Sequence, residues 1–354
     1  MLLTKQLYTT GITLIAALLL SACQKETLPI ADGNKTVNIT LSTKVGGDGS
    51  SAASAEDAIH TLRIYAFDIN DNLVGYHYKA NVPNTPETYS FSMPLNFSYK
   101  EDFPTGSVTA KFYVVANEVG ATINGTFPEA EINEETGLWK WVDDTNTIDP
   151  YGLSALLITD YRTKTETDIE DKGLPMSYKD DNVKITTETN QSLTFRMERA
   201  VVKLETTFTN QGSAVTVEKI SFGNFQANMG YLFEQGKDAQ GKDIIVPTNA
   251  DFAYETPSVF EPQLNIGQGS QASVVYYQLP SAAGESAYTF GFSLANGTSF
   301  GPSELKPNNG GSIESIDRNH GLGINVTVED DNIRFSVPDV QPWRTGEGGI
   351  IIVE

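Results

Sequence analysis

Residues 107–120 read SVTAKFYVVANEVG, and this stretch decides the fold class. Its β-branched and aromatic side chains favour strands. Around Phe112 to Val115 both strand faces are apolar, as in a strand covered on two sides. The pattern predicts a central strand within a sandwich.

The same grammar recurs on either side. LRIYAFDINDNLVGYHY (62–78) predicts two strands joined across Asn70, Asp71 and Asn72, residues that tolerate tight-turn dihedrals. TVNITLSTK (36–44) alternates Val37, Ile39 and Leu41 with polar neighbours, the mark of a half-buried strand. The small residues of VGGDGSSAASA (45–55) then predict an exposed loop open to proteases. From 121 to 172 the pattern loosens into polar loops, with YGLSALLI as a short helix. Past a boundary near ETNQ (188–191), LTFRMERAVVKLETTFTN (193–210) reads as one long strand. ASVVYYQLP, YTFGFSLA, GINVTVE and IRFSV continue the β reading. No fixed period repeats.

A chain of 354 residues is long enough for two domains with separate cores. The expected class is all-β, two sandwich domains in tandem. Residues 1–22 form a signal peptide, 23–35 a linker, 36–188 the first domain and 189–354 the second. With 24 Lys and Arg against 45 Asp and Glu, the net charge is −21. Nucleic-acid binding is therefore not expected, because a phosphate backbone is bound by clustered basic residues.

Cys23 is the single cysteine, so no internal disulfide framework exists. It follows a basic Lys5, an apolar stretch over 11–20 and small residues, the layout of a secretory signal. Leu20-Ser21-Ala22-Cys23 resembles the bacterial lipobox, with a cut between Ala22 and Cys23 and lipid on the Cys23 thiol. More than one acyl chain on a residue gives stable anchoring, so the precursor is expected at a membrane surface. Gln24 after the cysteine resembles an outer-membrane sorting signal.

Little in the chain suggests chemistry. Asp68, Asn70, Asp71 and Asn72 match part of a calcium loop but lack its later Glu and its turn Gly. Asp143, Asp144 and Asp149 are either a cation site or a solvated acidic loop. His60, His77 and His320 have no metal-ligand spacing. With Cys23 committed to lipid, no thiol nucleophile is left. No catalytic residue, metal site or cofactor is expected. Trp139 and Trp141, two apart on a strand, face one side, either as a glycan-stacking platform or as packing against a loop.

WRTGEGGIIIVE (343–354) carries four consecutive β-branched residues, Ile350, Ile351, Ile352 and Val353. A strand apolar on both faces needs cover on both. Gly346, Gly348 and Gly349 supply the hinge before it.

In order and spacing these features resemble the lipoprotein-exported fimbrillins of Bacteroidales-type bacteria, two-domain transthyretin-like pilins also called type V. CQKE and GNKTVNITLSTK look like the family's lipidated start and removable first strand (36–44), and LRIYAFD like its second strand. AKFYVVANEVG is similar to the core strand that ends in Ala-Asn. LPMSYKD, MERAVVKLE, IDRNHGLGINVTV and VQPW resemble its Pro-Met, Arg-Ala, Arg-Asn-His and Trp segments.

The resemblance implies a lipoprotein precursor at the outer membrane whose first strand is cut away, opening a groove that a neighbour's C-terminal strand fills. Residues 346–354 would be the donor. Burial of 350–353 would contribute on the order of 1.5–3 kcal/mol per side chain before ordering costs. Head-to-tail contacts of this kind propagate a filament rather than closing a ring. The family's stalk subunits are cut after arginine, whereas loop 45–55 has none; Lys44 stands at its entrance and Arg63 lies inside a predicted strand. The expected function is a stalk or tip-associated subunit of a surface fimbria serving adhesion. Its expected partners are other fimbrial subunits and host or bacterial surface molecules. The alternatives are a glycan-binding surface lipoprotein and the fimbrial membrane anchor.

Overall fold

The computed structural model describes residues 34–42, 55–82, 88–97, 107–161, 164–186, 191–225, 227–251, 257–282, 287–307, 311–330, 333–336 and 340–342. The principal strands of the first half are β1 (Asn34–Ser42), β2 (Thr61–Phe67), β3 (Leu73–Ala80), β4 (Thr88–Asn96), β5 (Ser107–Ala116), β6 (Met176–Thr186) and β7 (Gln191–Arg196). One sheet runs β6-β5-β2-β3, with the two residues Glu198–Arg199 on the outer side of β6; the other runs β7-β1-β4. As the apolar run at 112–115 predicts, β5 sits between β6 and β2, with Phe112, Tyr113, Val114 and Val115 all buried. The β2–β3 turn is tied by Asp68, whose Oδ1 accepts from the backbone N–H groups of Asn70 (2.8 Å) and Asn72 (2.9 Å).

The second half contributes β8 (Val202–Asn210), β9 (Val215–Gly223), β10 (Gln271–Gln278), β11 (Thr289–Leu294), β12 (Ser299–Glu304), β13 (His320–Val328) and β14 (Ile333–Ser336). Here one sheet runs β10-β8-β13-β14 and the other β9-β11-β12. Aromatic rings join them: Phe208 on β8 meets Phe292 on β11 edge-on at 5.3 Å, and Phe222 on β9 meets Tyr276 on β10 at 6.4 Å. Edge-on and tilted rings at such separations add to simple area burial. The chain is all-β, built as β-sandwiches.

Two readings of the sequence change. The run at 193–210 is not one strand: it breaks after β7, at Met197, and again at Ala200 and Val201, before β8. Leu193, Phe195, Met197, Ala200 and Val201 pack into the first core, whereas Val202, Leu204 and Phe208 pack into the second. A crossing between two cores leaves the apolar pattern intact, so periodicity does not show it. The short helix predicted over YGLSALLI is confined to α1 (Pro150–Ser154), capped by Asp149 Oδ1 accepting from Gly152 N at 2.6 Å. The three residues Leu157–Thr159 are extended because they pair with Met229–Tyr231 from the second half. In the other direction, Lys164–Thr165 pairs with Tyr277 and Tyr276 on β10. The two halves therefore exchange short strands.

Candidate functional site

β1 occupies an unusual position for a first strand. It is the middle strand of its sheet, antiparallel to β4 along its whole length and parallel to β7 from Val37 to Ser42. Adjacent strands stand about 4.8 Å apart, so β4 and β7 face each other across a slot roughly 10 Å wide that one strand bridges. Val37 and Ile39 point inward and are fully buried, beside Met93, Leu95, Leu193 and Phe195. On the facing sheet, Phe195 stacks on Tyr178 at 4.8 Å and meets Phe112 at 5.0 Å. Gly75 on β3 makes room for β4: a Cβ there would lie 2.5 Å from Leu95 Cδ2 and 2.7 Å from Met93 Cε.

The outward face of the slot is polar. Ser90, Ser92, Ser192 and Thr194 are exposed along β4 and β7. β1 answers with Thr40, whose hydroxyl lies 2.9 Å from that of Ser90, and Asn38, whose Oδ1 accepts from Ser92 Oγ at 2.9 Å. At the start of β7, Gln191 clasps β6: its Oε1 accepts from Thr186 N (2.8 Å) and its Nε2 donates to Lys184 O (2.6 Å).

At one edge of the slot, His77 on β3 stacks on Phe91 of β4 at 4.1 Å. Burial, with a smaller contribution from Lys79, holds its pKa below the ordinary 6.5. The unfolded chain therefore takes up a proton before the folded chain does, and stability rises with pH across that window. Stability is full above about 6.5 and is lost as pH falls toward the depressed folded value. His77→Phe, which keeps the stack, is expected to flatten this part of the profile in denaturant titrations at a series of pH values. An unchanged slope would assign the dependence to other groups.

A second constellation joins the two cores. Arg199, immediately after the slot's β7 wall, donates from Nη1 to Asn319 Oδ1 (3.1 Å) and from Nε to Glu56 O (3.2 Å), and pairs through Nη2 with Asp57. Glu56 binds Lys203 Nζ at 2.9 Å and accepts from Tyr277 OH at 2.7 Å. Burial alone would raise the Glu56 pKa, but Lys203, Tyr277 and Arg199 together hold it below the usual carboxylate value. Arg318 donates to Leu232 O (2.9 Å), Ser177 Oγ (2.8 Å) and Glu198 O (3.2 Å). Asn319 N donates to Val201 O and Ala200 N to Pro175 O.

Asn117, left-handed at φ 59°, closes the first half of this joint. Its Oδ1 accepts from His60 N (2.7 Å) and Thr61 N (3.4 Å), and its Nδ2 donates to Ala58 O and Leu174 O, both at 2.8 Å. Sequence reasoning singled out the Ala-Asn, Pro-Met, Arg-Ala and Arg-Asn-His segments separately. It did not show that they meet.

The other candidate residues fall as follows. Ala22, Cys23, Lys44, Gly346, Gly348, Gly349, Ile350, Ile351, Ile352 and Val353 lie outside the described residues. Trp139 and Trp141 share one side of a short strand, as their spacing requires, and are half-buried against the first core. Trp139 meets Tyr76 edge-on at 6.2 Å and Trp141 meets Tyr65 at 5.9 Å. Arg63 is buried within β2, bound to both oxygens of Glu118 at 2.8 Å, with its guanidinium 4.1 Å from the Tyr78 ring centre. That burial removes it as a protease site.

Asp143 accepts from the Thr145 backbone and hydroxyl, and Asp149 caps α1. Among the described residues no cluster of His, Cys, Asp and Glu could hold a metal ion. One G-x-S-x-G match, Gly297 to Gly301, escapes the sequence reading. It lies in the β11–β12 hairpin and its edge strand, not in the strand–turn–helix that a nucleophile elbow requires. Among the described residues no helix is long and apolar enough to cross a membrane.

Residues 35–220, more than half of the chain, match the family model described as major fimbrial subunit protein (FimA). The chain belongs to the FimA family. The matched region begins in β1 and ends in β9, so it takes in the slot and much of the joint of this FimA-family chain. Two solved structures share its fold. The tip fimbrial protein Mfa3 from Porphyromonas gingivalis, with C-terminal truncation, superposes with TM-score 0.53 at 14% identity, covering 86% of this chain and 99% of that one. A protein of Parabacteroides distasonis, provisionally described as a cell adhesion protein, superposes with TM-score 0.51 at 13% identity, covering 88% and 97%. At such identities the likeness concerns the fold alone. No curated protein matches the chain. Family membership makes the protein a fimbrial protein of the cell surface.

Proposed function

We propose that this FimA-family chain is a stalk or tip-associated fimbrial subunit that polymerises by strand exchange through the β1 slot. The observation that carries the reading is the place of β1 in the middle of its sheet. An edge strand can leave without opening anything. Loss of β1 unpairs one edge of β4 and one edge of β7 together and uncovers the apolar wall of Met93, Leu95, Leu193 and Phe195. Exposed strand edges and apolar surface drive pairing with another chain.

In this scheme the precursor is a lipoprotein cut between Ala22 and Cys23 and carried on the outer membrane by lipid on Cys23. A protease cuts within 44–54, with Lys44 as the candidate site, and β1 departs. The hinge Gly346, Gly348 and Gly349 and the strand Ile350, Ile351, Ile352 and Val353 are donated to another fimbrial subunit, and the finished fimbria contacts surface molecules of host or bacterium. The boundary between domains is proposed between Val201 and Val202, where side chains pass from the first core to the second, rather than between 188 and 189.

N-terminal sequencing and intact mass of the protein in sheared surface fibres test the scheme, beside a strain lacking 346–354. The expected result is a start within 45–55 and loss of high-mass fibres on deletion. Fibres that retain β1 would rule strand removal out.

A further inference from the structure

We infer that the β1 slot selects the outward face of an incoming strand as well as its inward face, and so prefers a donor that alternates apolar and hydrogen-bonding residues over the all-apolar run at 350–353. The inference rests on the strand-exchange reading and adds the chemistry of the partner. β1 shows what the slot accepts. Val37 and Ile39 fill the inward side, while Asn38 and Thr40 bond Ser92 and Ser90 on the outward side. Across β7 the same two positions lie beside Ser192 and Thr194. The outer row is thus polar on both walls.

Successive strand residues face opposite sides. Of Ile350, Ile351, Ile352 and Val353, two would enter the core and two would lie outward among four hydroxyl side chains, with no apolar cover and no hydrogen bond to return. Cross-strand polar pairs each contribute a fraction of a kcal/mol to about 1 kcal/mol, so two lost pairs correspond to roughly a tenfold weaker fit. The outer row does not forbid the chain's own tail. It ranks that tail below an alternating strand. The preferred neighbour in the slot is therefore a different subunit, whose donor reads apolar-polar-apolar-polar as β1 does, and this chain is a poor self-polymeriser.

The test uses the full chain with a protease site introduced within 45–54, nicked so that β1 remains seated but is no longer covalently attached. Exchange of a fluorescent 34–42 peptide is competed by unlabelled peptides of sequence 34–42 and 346–354, each with added lysines for solubility. The expected result is displacement by 34–42 at about one-tenth the concentration needed for 346–354, with the gap shrinking severalfold in the Ser90→Ala, Ser92→Ala double variant. These positions are exposed, so that variant keeps its fold, which its thermal transition checks. Equal or better displacement by 346–354, or a preference unmoved by the serine changes, overturns the inference while leaving strand exchange intact. If neither peptide displaces the seated strand, the slot does not exchange at all, and both readings fall together.

Discussion

Asn117→Ala is expected to lower stability by about 4 kcal/mol, more than any surface change in this chain. The side chain satisfies four backbone groups at once: the N–H groups of His60 and Thr61 and the carbonyls of Ala58 and Leu174. Each buried backbone group left without its partner costs about 1–3 kcal/mol, reduced where water can enter. Alanine also tolerates the left-handed backbone at this position less well than asparagine. For sandwiches of this size the loss corresponds to a midpoint lower by on the order of 10 °C.

Asn117→Asp sharpens the test. It is isosteric and keeps the acceptor, but it turns a carboxylate oxygen toward the two carbonyls that the amide had served. A comparable loss is expected in both variants by urea titration. An Asn117→Asp protein as stable as the parent would mean that these hydrogen bonds do not hold the joint. Gly173 agrees with the tightness of the site, since a Cβ there would lie 2.2 Å from Asn117 Nδ2.

Arg199→Leu is expected to cost about 3–5 kcal/mol, the usual penalty for removing one partner of a buried ionic network. The substitution takes the guanidinium from Asp57, Asn319 and the Glu56 carbonyl together. Two of these belong to the segment before β2 and one to the turn before β13, so the change acts on the coupling between the cores as well as on stability. Calorimetry of the parent is expected to show one cooperative transition, and of the variant two, with the first half melting earlier. Arg199→Lys keeps the charge but not the planar fork and should fall between them. A single transition within about 1 kcal/mol of the parent would show that the cores dock through their apolar contacts and exchanged strands alone.

The joint also bears on assembly. Glu56 and Asp57 lie just past the loop proposed for cleavage, and Arg199 lies just past β7. In the proposed scheme, loss of β1 would leave the new N-terminal segment bound to Lys203, Tyr277 and Arg199. β7, with no other strand partner in its sheet among the described residues, is held at its two ends by the Gln191 clasp and by Glu198–Arg199 pairing with β6. The walls of the slot are therefore fastened by contacts that β1 does not make. A pre-formed acceptor loses less ordering entropy on binding than one that must refold around its donor.

What the sequence determined by itself is local. The alternation at 36–41, the doubly apolar run at 112–115 and the Asn-Asp-Asn turn specify strands and a hairpin because side-chain period and turn dihedrals depend only on near neighbours. The excess of acidic residues likewise sets the expectation against nucleic acid from composition alone. Alternation says which face of a strand is buried and not which strands lie beside it. That β1 is seated between β4 and β7, from distant parts of the chain, that 193–210 crosses from one core to the other, and that Arg63 is caged by Glu118 and Tyr78, were decided by tertiary packing. The same holds for Asn117, Arg199, Arg318 and Asn319. Each stands beside another polar residue and none is marked out by pattern, and only the packing of the elements around them, within the first sandwich for Asn117 and between the two for the others, brings their hydrogen-bonding groups to where a buried backbone or a buried charge requires them.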